Sequence, residues 1–508
     1  MITAKRTVNK SKYGAIQLGV AISLILIALV LALIEWRNYR NSALLLPEGS
    51  HWGEVDVSGL TLEQAEQKVT QIFHSPVELR YRDQRIQTSA EMLGYQLNLA
   101  QGRIQWQEFN EQTGYWDYLW RRPQPPVSLD LEVALDENSA RQFLSQQIAA
   151  RYDDPPEVRL PVPGTTRFTN DDRGYSLDVA SSLRQIIEFH PLSDSRFVEL
   201  VVLEGQPSPV DATMLQAILV QHIQLSGFNG IAEIYIQDLK NNRVVHFAMR
   251  AGEIITPEIA FSAASTIKIP ILVSALLRAP QPIEEDLKSL AERMMILSEN
   301  PPADALMERA IGSTLAPLKV SEDLQKMGFA NTFLAGYFYL GAPLLQRFDT
   351  PANTRSDVDL RPDVYNQTTP ADMGRLLAEM YRCAKNSAGL LIETFNEQIN
   401  AEKCQLMLDV MLRNNIGVLI EAGIPEGTPI ARKHGWTEEG DGFLRTISDA
   451  GIVFAPQTDY VQVIFLHDPL QLLFEPGNAL MAQLSQVVFN AFNPDYQIDW
   501  IFGEIRYR

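Results

Sequence analysis

Ser265 opens the only S-x-x-K in the chain, Ser265-Thr266-Ile267-Lys268, and an S-x-N (Ser298-Glu299-Asn300) and a K-x-G (Lys433-His434-Gly435) follow it in order. A serine hydroxyl is a weak nucleophile until a neighbouring base takes its proton. Residues three apart on a helix share a face, so a helical segment here lets the Lys268 amine reach the Ser265 hydroxyl. Ser265 at the helix N-terminus would also gain from the helix dipole, which stabilises its developing oxyanion form. Ile267, Ile269 and Ile271 make an apolar setting for the lysine, and lost solvation favours the neutral, basic amine. The chemistry expected of Ser265, Lys268, Ser298 and Lys433 together is therefore acyl transfer through an acyl-serine. Standing alone, an S-x-x-K is more simply a surface serine beside a snorkelling lysine; three motifs in order argue against that.

Those motifs need a scaffold. Apolar periodicity predicts a helix over residues 212–225, then strands over 231–239 and 244–250 joined by a turn at Asn241-Asn242. A long, mainly helical stretch comes next. Three strands near 431–436, 447–454 and 460–466 and a helix over 478–492 close the pattern. Hairpin-linked strands at both ends of a helical middle imply an α+β domain over 211–508, an antiparallel sheet split by an inserted helical lobe.

Four segments in this region, residues 262–270, 294–300, Asn366-Gln367-Thr368-Thr369-Pro370 and Lys433-His434-Gly435-Trp436, resemble the class A β-lactamase family and its penicillin-recognising serine hydrolase relatives. The resemblance implies that Ser298 relays a proton to the leaving nitrogen and that Asn300 holds the substrate's amide side chain. It implies that Lys433 presents a cation to the substrate carboxylate, and that Gly435 lets the ligand backbone come close. The backbone N–H groups of Ser265 and Trp436 would form the oxyanion hole. His434 stands where the family has Thr or Ser; an imidazole can donate to a carboxylate but titrates near neutrality. Glu299 stands in place of the usual Asp.

A larger departure concerns deacylation. The family hydrolyses its acyl-enzyme with a glutamate acting through water, carried just before the T-T-x-P-like segment. No glutamate occurs between Glu322 and Glu379. Asp357 and Asp359 are the candidate deacylation carboxylates, each with a shorter arm. Acylation is expected to be intact and fast β-lactam turnover is not.

The rest of the chain bounds where this chemistry takes place. A net charge of −19 and a pI near 4.9 exclude a nucleic-acid partner, because a phosphate backbone would be repelled. Residues 15–34 hold only Gln17 and Ser23 as polar side chains, enough to span roughly 30 Å of hydrocarbon. An anchor over 13–36 with a cytoplasmic tail, residues 1–12, is expected, since Lys5, Arg6, Lys10 and Lys12 precede the span. Trp36 and Tyr39 would sit at the interface, and the bulk of the chain outside the cell membrane. A cleaved signal peptide is the alternative. Outside, a disulfide between Cys383 and Cys404 can persist; two unpaired buried thiols are the other reading. The scattered histidines and two cysteines supply no metal-ligand spacing, so neither metal nor cofactor is expected.

Between span and serine, Gly94-Tyr95-Gln96-Leu97-Asn98 recurs as Gly174-Tyr175-Ser176-Leu177-Asp178, a period of about 80 residues. Residues 50–125 and 126–205 thus read as two copies of a small α+β unit. With Val55-Asp56-Val57-Ser58-Gly59-Leu60, they resemble the domain assigned to peptidoglycan binding in membrane-anchored bacterial cell-wall proteins. The resemblance implies cell-wall glycan as a partner; a spacer is the alternative. Two functions are expected to compete for the whole chain. One is a membrane-anchored, extracytoplasmic serine hydrolase acting on a β-lactam or a D-Ala-D-Ala-type stem peptide. The other is a receptor that acylates or binds without turnover.

Overall fold

The computed structural model describes residues 10–42, 44–112, 114–120, 122–170, 173–438 and 441–499. Most of the expected tail, residues 1–12, lies outside them. Helix α1 (Lys10–Ser42) contains the expected span, and its stretch Gln17–Asn41 is long and apolar enough to cross a membrane, with none of the apolar window buried in protein.

Contacts divide the chain into two units, Met1–Pro156 with Arg173–Gln206, and Glu157–Asp172 with Pro207–Arg508. The first holds, after α1, β1 (His51–Trp52), β2 (Val55–Asp56), α2 (Leu62–Phe73), β3 (Val77–Tyr81), β4 (Gln84–Thr88), β5 (Tyr95–Asn98), α3 (Ala100–Gln112), α4 (Tyr115–Leu119), β6 (Ser128–Leu129) and β7 (Glu132–Leu135). Helix α5 (Glu137–Phe143) passes through a π-helical turn into α6 (Ala150–Tyr152), before β8 (Tyr175–Leu177), α7 (Val179–Glu188), β9 (Phe197–Glu199) and β10 (Val202–Glu204). Thr61 and Gln64 form the reciprocal capping box their spacing predicts at the start of α2.

The two G-Y-x-L segments become β5 and β8, each entered through a glycine in the left-handed region, Gly94 at φ +91° and Gly174 at φ +61°. The halves do not fold as separate bodies. β1 pairs in parallel with β6, β3 in parallel with β9, and β5 antiparallel with β7, all across the expected division at 125/126. One core, including Trp52, Val69, Tyr81, Leu144, Leu183 and Val198, serves both halves. Strands this short bury too little apolar surface for either half to hold alone.

The second unit contains α8 (Ala212–Leu225), β11 (Ile231–Asp238), β12 (Val244–Arg250), β13 (Glu253–Ile255), β14 (Phe261–Ser262), α9 (Lys268–Arg278), α10 (Glu285–Ile296), α11 (Asn300–Leu306) and α12 (Ala316–Lys326). β15 (Phe333–Leu334), β16 (Asn366–Thr368), α13 (Pro370–Asn386), α14 (Leu390–Phe395), α15 (Ala401–Met411), β17 (Ile430–Glu438), β18 (Leu444–Val453), β19 (Tyr460–His467) and α16 (Phe474–Phe492) complete it. Its main sheet is antiparallel in the order β13-β12-β11-β19-β18-β17, the expected α+β layout. Side chains alternate across the strands, so Tyr235 and Phe465 face the helical lobe of α9, α10, α13 and α15, while Ile234 and Ile464 face α8 and α16. Gly374 lets α13 cross the sheet, for a Cβ there would lie 2.2 Å from the Tyr235 ring. Cys383 of α13 and Cys404 of α15 are joined by a disulfide, Cα to Cα 5.9 Å.

Segment Glu157–Asp172 departs from the expected domain boundary, which assigned it to the second repeat. Buried Arg159 donates to the Ala491 and Asn490 carbonyls at 2.8 and 2.9 Å, and Phe168 enters the core beneath α16. The last carbonyls of a helix lack intrahelical donors and carry negative partial charge, so a guanidinium satisfies both needs.

Candidate active site

The nucleophile's helix forms as the spacing requires: a 3₁₀ turn (Ala264–Ile267) runs into α9, whose residues from Lys268 to Leu277 are all buried. A helix buried all round follows from a sequence apolar on nearly every face, with polar Ser274 satisfied by Asp323 at 2.6 Å. Two non-glycine residues beside the site have left-handed backbone, Ala264 at φ +48° and Ser298 at φ +59°, conformations that persist where surrounding structure enforces them.

Lys268 Nζ lies 3.0 Å from Ser265 Oγ, 2.6 Å from the Ser298 carbonyl and 2.8 Å from Asn300 Oδ1. A neutral amine has two N–H donors and one lone pair. The carbonyl and the amide oxygen take the donors, which leaves the lone pair for the Ser265 proton. Burial pulls the Lys268 pKa down to about 8, against a smaller upward pull from Asp304, so about a tenth is neutral at pH 7. Ser298 Oγ donates to Ser265 Oγ at 2.9 Å and accepts from Lys433 Nζ at 2.9 Å. Lys433 is buried on the edge strand β17, and its pKa lies well below the usual lysine range because of desolvation and then of Lys268. Buried Arg432 beside it is ion-paired with Asp449 at 2.5 Å and Glu421 at 3.2 Å, which leaves the Lys268 and Lys433 amines to meet a substrate carboxylate.

The remaining sequence-predicted residues fall into place unevenly. Gly435 carries β17 past the nucleophile; a Cβ there would lie 3.0 Å from Ser265 N, so strand-to-turn contact already demands glycine. Trp436 is exposed, stacks on His434 at 4.7 Å and meets Phe474 edge-on. Asn300 is exposed at the start of α11. Glu299 points elsewhere, to Arg293 at 2.5 Å.

His434 requires a correction. It does not titrate near neutrality: burial, then Lys433, Arg432 and Lys268, push its pKa down to about 2. Its Nδ1 lies 3.2 Å from Asn414 Oδ1, while Asn414 Nδ2 donates to the Met295 carbonyl at 2.5 Å. Asn414 Oδ1 is therefore the acceptor, and the single N–H of the neutral ring is spent on it. The carboxylate-binding role expected of His434 has no donor left.

Asp357 and Asp359 are not brought to the site. Exposed Asp357 pairs with Arg355 at 2.6 Å, which holds its carboxyl low at about 2, and Asp359 Oδ1 accepts from Arg361 N. Asp363, on the same stretch, is tied to Tyr365 N and Asn366 Nδ2. What stands against Lys268 is an aromatic ring, Phe338, 5.6 Å from Nζ. Asp304 of α11 accepts the Phe338 backbone N–H at 2.9 Å and so fixes the main chain that carries the ring. Neither residue was legible as part of the site, although Asn300 and Asp304 at i, i+4 on one helix face were a usable signal.

Residues 277–492 match the model of the beta-lactamase enzyme family, and the second unit is β-lactamase-like. The matched segment begins after Ser265 and Lys268. Among solved structures, the chain is similar to PBP-A at 22% identity over 57% of this chain and 99% of that one, with a TM-score of 0.39. A class A β-lactamase from Bacteroides cellulosilyticus is similar at 16% identity over 55% of this chain and 99% of that one, with a TM-score of 0.40. An ancestral class A β-lactamase is similar at 20% identity over 55% of this chain and all of that one, with a TM-score of 0.39. No curated protein matches the chain.

Proposed function

We propose that the protein is a membrane-anchored, extracytoplasmic serine hydrolase that forms an acyl-enzyme on Ser265 and releases it slowly. Lys268 takes the Ser265 proton as the hydroxyl attacks the amide carbonyl, and Ser298 passes a proton to the departing nitrogen. Lys433 positions Ser298 and attracts the substrate carboxylate. The amide is that of a β-lactam or of a D-Ala-D-Ala-type stem peptide. One span with its N-terminus in the cytoplasm puts the site on the cell-wall side, where the first unit would meet glycan.

The observation that carries this reading is the unbroken contact chain Lys268, Ser265, Ser298, Lys433, with each link between 2.9 and 3.0 Å. A fluorescent penicillin is expected to add its own mass to the protein, and Ser265→Ala to abolish the adduct. Wild type and Ser265→Ala behaving alike would refute it. A second reading, a receptor that binds without turnover, is favoured by the Phe338 ring where a deacylating carboxylate would stand. Burst labelling without steady-state nitrocefin hydrolysis would select it.

A further inference from the structure

We propose that helix α4 is a second membrane contact, lying in the lipid headgroup layer beside the end of α1. Two of its surroundings' largest apolar side chains are uncovered: Trp116 is 67% exposed and Trp120 72%. Soluble surfaces seldom leave such rings in water, and Trp, with an apolar body and one N–H, favours the boundary between headgroups and acyl chains.

The occupant follows from where α4 is fixed. Its Tyr115 ring lies 5.3 Å from Trp36 and 5.1 Å from Tyr39, and Tyr118 lies 5.5 Å from Tyr39. At 1.5 Å per residue, Trp36 stands about 3 Å and Tyr39 about 7 Å beyond Ile34, the last residue of the apolar run. The headgroup layer on each side of the hydrocarbon is roughly 5–7 Å deep. Tyr115, touching both rings, is held at that depth, and the uncovered tryptophans of the same turn are carried with it. A segment some 75 residues after α1 in sequence thus returns to the level at which α1 leaves the hydrocarbon.

This inference rests on the anchoring reading, and the experiment separates the two. The full chain and a Trp116→Phe/Trp120→Phe variant are reconstituted in phosphatidylcholine vesicles with and without lipid brominated near the top of the acyl chain. Flotation with the vesicles tests the anchor. The difference in tryptophan emission between the two proteins reports Trp116 and Trp120 alone, and is expected to be quenched several-fold by brominated lipid and little by aqueous iodide. Quenching by iodide and not by brominated lipid, in protein that floats, overturns the α4 contact and leaves the anchor standing; so does emission shielded from both, which would mean a protein covers the rings. Failure to float removes the anchor and this contact together.

Discussion

The ring of Phe338 faces the Lys268 amine at 5.6 Å. An aromatic face attracts a cation weakly but can neither take a proton nor hold a hydrolytic water as a base. On the proposed reading, the site is thereby arranged for one half of a two-step reaction. In the proposed reaction Lys268 activates Ser265, while Asp357, Asp359 and Asp363 are each tied to partners of their own stretch.

Placing a carboxylate at that point should supply the missing half. Phe338→Glu is expected to shorten the lifetime of the penicillin adduct about 100-fold, the scale of one general base. Intact-mass measurements after removal of free penicillin would follow the decay. An unchanged lifetime would mean that the loop does not present residue 338 to the ester.

Acylation should depend on pH through Lys268. Only the neutral amine takes the proton, so the labelling rate is expected to rise about tenfold per pH unit and level off above about 8. The negative charge of Asp304 raises the Lys268 pKa, so Asp304→Asn should move the midpoint to lower pH while its amide oxygen keeps the Phe338 N–H bond. Stopped-flow labelling across pH checks both the midpoint and the direction of its shift. A flat profile between pH 6 and 9 would argue against Lys268 as the base.

Arg159 should matter to a unit in which sequence order does not place it. Arg159→Ala leaves the Asn490 and Ala491 carbonyls buried without donors, and is expected to lower the unfolding free energy by about 2–4 kcal/mol. Phe168→Ala should cost about 3–5 kcal/mol as a core deletion. Denaturant titration followed by loss of Ser265 labelling reports the second unit itself. Neither change should alter the labelling rate of folded protein, because neither residue bonds the motif residues.

Local patterns in the sequence carried much of the second unit. Helix α8 was legible because its apolar positions recur with the helical period, and β12 because the Asn241-Asn242 turn separates its apolar run from that of β11. The four motif residues were legible because their chemistry is rare in combination. Asp304, Phe338 and the neutrality of His434 were not, since each depends on partners tens to more than a hundred residues away. Val198-Glu199-Leu200-Val201-Val202 alternates like one continuous strand, yet Leu200 N bonds the Arg80 carbonyl while Val201 N turns to Ser182 Oγ, so the chain changes sheets there. The repeats were visible as a period, yet their interleaving was not, because which strand completes which sheet is set by shared burial.

The polypeptide passes between its two units three times, at 156/157, 172/173 and 206/207. A protease cutting once in the Pro-rich stretch near 207 would not free the second unit, since Arg159 and Phe168 stay seated against α16 and are still covalently continuous with the first. Separation needs a second cut or the extraction of Arg159 and Phe168, so this wiring works as a latch that keeps the two fragments together after a single nick.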